Sequence, residues 1–283
     1  MAPVDEYLTR LGLEAEPPSA EALARLHRAH VERVPYETLW IHLGEAWGID
    51  PAASFERVAT RRRGGYCYHL NGSLSVLLRR LGYDVVRHVG GVHRPGGPNQ
   101  ADLGNHLVLT VRELPADGNP GGHWYVDAGL GDGLYDPLPL VPGPYPSGPY
   151  RLVLQETPGG VGDWHLDHAA SGFSGMAWRS APVGMEAFAE RHVQLSTDPA
   201  SGFVRVLTAQ RRDATGADTL KGLVLRRTGD RTTSRDLESL PELSDVLGDV
   251  FGLDLTAVDP EARKALWRRL AAAHEAWVAA GRS

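Results

Sequence analysis

The chain has one cysteine in 283 residues, so it cannot close a disulfide on itself. That scarcity suits a reducing compartment. No apolar run is long enough to cross a bilayer. The first residues, MAPVDEYLTRLG, lack the basic stretch and apolar run of a secretory leader. Basic charge is also in short supply: 29 Lys and Arg against 35 Asp and Glu leave a net charge of −6. A general nucleic-acid binder needs the opposite sign to neutralise phosphates, so that class is excluded, and only Arg61, Arg62 and Arg63 form a local basic patch. These absences point to a soluble cytoplasmic protein with neither a nucleic-acid nor a membrane partner. What is present is ordinary: 42% hydrophobic residues are enough to build a core for one large domain or a few small ones.

The pattern along the chain changes twice. Ser19 follows Pro17-Pro18 and can cap a helix on which Leu23, Leu26, His30 and Val34 share a stripe, ended by Pro35. Ser54 can cap a second, short helix through Phe55 and Val58. A third helix follows Arg63-Gly64-Gly65, with Leu70, Leu74, Leu77 and Leu81 at helical spacing and Gly82 as its C-terminal cap. From Tyr83 the period becomes two. Residues 84–89 read as a strand followed by Gly90-Gly91. In the next strand Leu107, Leu109 and Val111 share one face, and His106, Val108 and Thr110 the other. Residues 123–127, 151–155 and 176–179 are further strands, whereas 140–149, rich in Pro and Gly, reads as a surface loop. A short helix at 185–192 leads to a strand pair, 203–210 and 220–227. The end is helical: 240–251, then a helix capped by Asp259 with Pro260 at its first position. Helices, then strands, then a mixed segment imply an α+β fold.

Cys67 is the residue with most chemical potential. It opens an apolar helix after two glycines, where unpaired N–H groups and the positive end of the helix dipole favour a thiolate. Arg63 adds positive charge nearby in sequence. The competing reading is a small buried apolar side chain. A thiol nucleophile needs a base and the base an orienting group. Of the 12 histidines, His69 is a poor partner because residues two apart on a helix do not face each other. His27 and His30 sit on a charged helix and read as surface or packing residues. His165 and His168 form an H-x-x-H in a loop region without further ligands, so no metal site is expected. His106 begins a strand after Asn105, and Asp127 ends a neighbouring one between Val126 and Ala128. A carboxylate leaving an apolar strand needs a hydrogen bond, which a histidine N–H would supply. Cys67, His106 and Asp127 thus form a candidate Cys–His–Asp set.

The run Arg63-Gly64-Gly65-Tyr66-Cys67-Tyr68, with Asn71, resembles the active-site signature of the arylamine N-acetyltransferases. Pro35-Tyr36-Glu37-Thr38-Leu39, Asn105-His106-Leu107-Val108-Leu109 and Val126-Asp127-Ala128-Gly129-Leu130-Gly131 resemble three more segments of that family, in the family's order. The resemblance covers about residues 1 to 140. It implies a helical bundle (1–83) carrying the nucleophile, a β-barrel domain (84–192) carrying the histidine and aspartate, and an α/β lid (193–283), on a core like that of the cysteine proteases. It also implies a two-step exchange: acetyl-CoA, a substrate rather than a resident cofactor, acylates Cys67, and an arylamine or hydrazine takes the acetyl group. In that scheme Cys67 rests as a thiolate beside an imidazolium, His106 carries protons and Asp127 orients it. By the same resemblance Gly129, Leu130 and Gly131 lie beside the cofactor, and Tyr36, Tyr68, Val92 and Leu130 line the acceptor pocket.

The chain departs from the family's pattern at His69, where Glu or Gln is usual, at Thr38 for an asparagine, and at Leu130 for a phenylalanine. None touches the triad; they bear on the acceptor. An amide synthase that couples a longer acyl thioester to an aryl amine, and a cysteine hydrolase, are the alternatives within the same chemistry.

Overall fold

The computed structural model describes residues 3–168 and 173–282. The first part holds α1 (Pro3–Leu11), α2 (Ala20–Arg33), β1 (Tyr36–Glu37), α3 (Leu39–His42), α4 (Pro51–Arg61) and α5 (Cys67–Arg80). Ser19 caps α2 by accepting the Ala22 N–H at 3.0 Å. The expected cap of α4 is displaced: Asp50 accepts the Ala53 N–H at 2.7 Å, and Pro51 stands at the first position. A carboxylate followed by a proline with preset φ starts a helix better than Ser54, which lies buried one turn inside. His27 and His30 are buried packing residues: His30 meets the Tyr7 hydroxyl at 2.8 Å and His27 the Tyr135 carbonyl at 3.0 Å.

The second part is one antiparallel sheet curled into a near-closed barrel, in the order β5-β4-β3-β2-β9-β8-β7-β6. Its strands are β2 (Asp84–His93), β3 (His106–Arg112), β4 (Trp124–Val126), β5 (Leu138–Pro139), β6 (Gly143–Ser147), β7 (Tyr150–Glu156), β8 (Trp164–His168) and β9 (Gly175–Pro182). β2 continues through Gly90-Gly91, because the glycines there serve close packing. A Cβ on Gly90 would come within 2.6 Å of the Val108 side chain, and one on Gly91 within 2.7 Å of the Asp102 main chain. The proline-rich segment expected as a loop contains β6. Pro144 and Pro146 are tolerated because β6 is the sheet's last strand and pairs only with β7. β3 is buried on both faces: Leu109 and Val111 join the core of the helical bundle, and Val108 the barrel interior.

The last part holds α6 (Ala189–Thr197), α7 (Gly202–Arg205), β10 (Thr208–Asp213), β11 (Gly216–Lys221), β12 (Val224–Gly229), β13 (Thr233–Asp236), α8 (Leu240–Asp245) and α9 (Pro260–Ala279). Its sheet runs β1-β10-β11-β12-β13, so a strand from the helical region completes it. The two expected strands are redrawn. Residues 202–205 are helical because Ser201 accepts the Phe203 N–H at 3.2 Å, and Gly222, at φ +59°, turns the chain between β11 and β12. Asp259 and Pro260 start α9 as anticipated. No helix of the described residues is long and apolar enough to cross a membrane.

Candidate active site

Cys67 is the first residue of α5, and Tyr66 before it is extended. The two preceding glycines are sterically required. A Cβ on Gly64 would fall 1.8 Å from the Pro35 carbonyl oxygen; Gly65, at φ +135°, would place one 2.6 Å from the His69 side chain. The Glu37 N–H donates to the Gly65 carbonyl at 2.9 Å and clamps this turn to β1. Arg63 does not offer its charge to the sulfur. It pairs with Glu37 and Glu45, each at 3.1 Å, and lies over the Trp47 ring. Glu37 is fully buried, so the arginine is committed to a carboxylate that would otherwise be uncompensated.

His106 opens β3, and Asp127 directly follows β4, the neighbouring strand. His106 Nε2 lies 2.7 Å from Asp127 Oδ2, with both side chains buried. The Cys67 sulfur lies beside the same imidazole at the cavity wall and 3.6 Å from the Asn105 carbonyl. Asp127 is saturated with donors: Asn71 Nδ2 at 2.8 Å, the Tyr125 hydroxyl at 2.8 Å and the Gly129 N–H at 2.9 Å. Burial opposes its charge, yet His106, Asn71 and Tyr125 hold the carboxyl below its usual range. Burial likewise disfavours the imidazolium, but the Asp127 carboxylate and the Cys67 sulfur prevail and raise His106 to about 10. The three residues picked from sequence therefore come together, with a charged imidazole at neutral pH between sulfur and carboxylate.

Asn71 belongs to the signature, and the structure shows what it holds. Besides Asp127 it holds the Leu107 carbonyl at 2.6 Å and the Ala128 N–H at 2.9 Å. It thereby ties α5 to both strands that carry the triad. The available signal was a buried amide one turn after the cysteine, on the same helix face.

A cavity of about 450 Å³ opens beside Cys67 and His106. Tyr36, Val92, Gly129 and Leu130 line it. Tyr68 and Gly131 do not. The Tyr68 hydroxyl donates to the Gly104 carbonyl at 2.5 Å and its ring packs on Tyr66 and Phe188, while Gly131 backs onto Gln210. Gly129 is needed against the nucleophile, since a Cβ there would reach 2.8 Å from Cys67 Cα. Phe173 and Phe203 also line the cavity and add aromatic rings beside Leu130. Nothing local in the sequence marks them, because they come from the barrel and the lid. Asp132, Val206, Gln210 and Lys221 border both this cavity and a second one of about 660 Å³ between the lid sheet and α9, which Arg205 and Arg226 also line.

His165 and His168 lie on β8, where a spacing of three puts them on opposite faces. His165 meets His93 at 2.9 Å, and His168 packs on Phe173 and Tyr150. Among the described residues no group of His, Cys, Asp and Glu gathers in a way that would hold a metal ion.

Comparison with known proteins agrees with this scaffold. The family model described as N-acetyltransferase matches residues 19–259. The arylamine N-acetyltransferase of Mycolicibacterium smegmatis is 32% identical over 266 residues, covering 88% of this chain and 91% of that one. A pineal gland isozyme from Gallus gallus is 33% identical over 171 residues, where 58% of this chain spans about half, 55%, of the relative. The structure of Mycobacterium marinum arylamine N-acetyltransferase in complex with CoA superposes with a TM-score of 0.81 at 27% identity, covering 94% of this chain and 98% of that one. The chain belongs to the arylamine N-acetyltransferase family.

Proposed function

We propose that the chain transfers an acetyl group from acetyl-CoA to an arylamine or hydrazine through a thioester on Cys67. The observation that carries this reading is the buried line from Asp127 through His106 to the Cys67 sulfur, with Nε2 to Oδ2 at 2.7 Å. In the first half-reaction the Cys67 thiolate attacks the acetyl carbonyl, and the carbon–sulfur bond to CoA breaks. The His106 imidazolium gives its proton to the leaving thiolate and becomes neutral. In the second, the amine attacks the acyl-cysteine, His106 takes the amine proton, and the thiolate–imidazolium pair is restored. Asp127 keeps the imidazole oriented and stabilises its charge.

Arg205, Lys221 and Arg226 line the second cavity and suit the phosphates of the donor, which reaches the sulfur past Gly129 and Leu130. Tyr36, Val92, Leu130, Phe173 and Phe203 offer an apolar, partly aromatic slot for an aryl ring. Tyr68 and Gly131 act from behind that slot. The division into helical (1–83), barrel (84–192) and lid (193–283) domains assigns the nucleophile to the first and its partners to the second. A cytoplasmic setting fits a thiol that must stay reduced. The test is mass spectrometry after mixing with acetyl-CoA: one acetyl on Cys67, discharged by an arylamine, is the expected result. Charging only by a long acyl thioester would replace the acetyltransferase reading with the amide synthase one.

A further inference from the structure

We infer that His69 is a positioning residue for the nucleophile: its uncharged ring accepts the Tyr66 N–H and fixes the turn that aims the Cys67 sulfur at His106. The inference rests on reading Cys67 as the acyl carrier. His69 is fully buried two residues after the cysteine, and its Nδ1 lies 3.3 Å from the Tyr66 nitrogen. An N–H can only donate, so Nδ1 must be unprotonated and the ring proton sits on Nε2. Nε2 faces the Gly48 carbonyl without a close hydrogen bond.

The ring is locked in place. Trp40, Trp47 and His192 meet it edge-on at 5.5, 5.8 and 5.9 Å, and Tyr66 at 4.7 Å. Gly65 is packed so tightly against it that a Cβ there would come within 2.6 Å. The charged or titratable groups that face it are Arg57, His192 and Tyr66. Burial first, then Arg57 and His192, hold His69 well below the usual imidazole range, so the acceptor lone pair persists at neutral pH.

Tyr66 is gripped at its other end as well. His192 Nε2 lies 2.7 Å from the Trp47 carbonyl, so that nitrogen donates and Nδ1 is left to accept the Tyr66 hydroxyl. The residue before the nucleophile is thus held by one neutral histidine at its main chain and by another, from α6, at its side chain. A carboxamide could perform the first task, because a Gln at the third position of a helix also reaches back to the cap N–H. A hydrocarbon could not.

Cys67 is the sole cysteine, so iodoacetamide reports on it alone. Alkylation at pH 7 and acetylation by acetyl-CoA should stay within about threefold of wild type in His69→Gln and fall about tenfold or more in His69→Leu, since a small misplacement of reacting atoms is enough for that loss. Wild-type rates in His69→Leu, or an equal loss in His69→Gln, overturn the inference. Should the leucine variant not fold, 15N NMR of the unsubstituted protein decides. His69 is expected to show an unprotonated Nδ1 and a protonated Nε2 from pH 5 to 8, and a protonated Nδ1 overturns the inference. Absence of an acetyl adduct in the wild type removes the acyl-carrier reading while alkylation and NMR still judge His69.

Discussion

His106 and His69 are the same residue type, both wholly buried and both near Cys67, yet they carry opposite charge states. Burial works against the cation at each site. At His106 a carboxylate 2.7 Å away reverses the outcome; at His69 the neighbours are Trp40, Trp47, Tyr66, His192 and Arg57, and only the Gly48 carbonyl, with no carboxylate, opposes burial. The two roles proposed for the site, a proton carrier and a fixed acceptor, would thus be made from one side-chain type by environment alone.

The strongest way to break this contrast is to remove the group that gives it meaning. Cys67→Ala should abolish acetyl transfer, a loss on the order of 10⁴-fold or more, while CoA still binds; steady-state assay and calorimetry read the two, and undiminished turnover ends the mechanism. Asp127→Asn should make His106 behave as His69 does. Its imidazole would lose the carboxylate that charges it, and turnover should fall by roughly 10³-fold. The pH dependence of Cys67 alkylation should change with it. Gly129→Ala tests the approach of the loop to the nucleophile; a Cβ 2.8 Å from Cys67 Cα forces a shift, and a loss of about 10²-fold is expected in the acylation rate.

A pH series sharpens the comparison without mutation. The folded-state pKa of His106 lies above its unfolded value, so its stabilising contribution is complete below about pH 6.5 and is lost as pH rises through about 10. Thermal unfolding should show that decline in wild type and much less of it in Asp127→Asn. The smallest effect expected is at Leu130→Phe, where one added ring should tighten KM for an aryl amine by about 2- to 10-fold and leave the acetyl-CoA half-reaction alone.

Much of the site could be read from the chain because its parts are local. The glycine turn before Cys67, the histidine opening a strand and the aspartate closing another each obey short-range rules, and Asp259-Pro260 marks α9 as reliably. Asn71 was visible in the signature, but its three partners lie 36 to 57 residues away, so its bracing role was not. Proximity in sequence places the Arg63 charge near the sulfur; in space it belongs to Glu37 and Glu45. The strand at Gly143–Ser147 is not legible in the chain because prolines exclude a central strand but not an edge one, and edge position is a property of the whole sheet.

By itself, then, the order of residues determined which side chains hold the chemistry, where the nucleophilic helix begins and which glycines must stay bare. Only the assembled molecule decided the protonation of its histidines, the walls of the cavity and the placing of the Phe173 and Phe203 rings beside Leu130. The reason is range: caps, turns and strand alternation act over a few residues, whereas desolvation and charge pairing depend on what distant segments bring into contact.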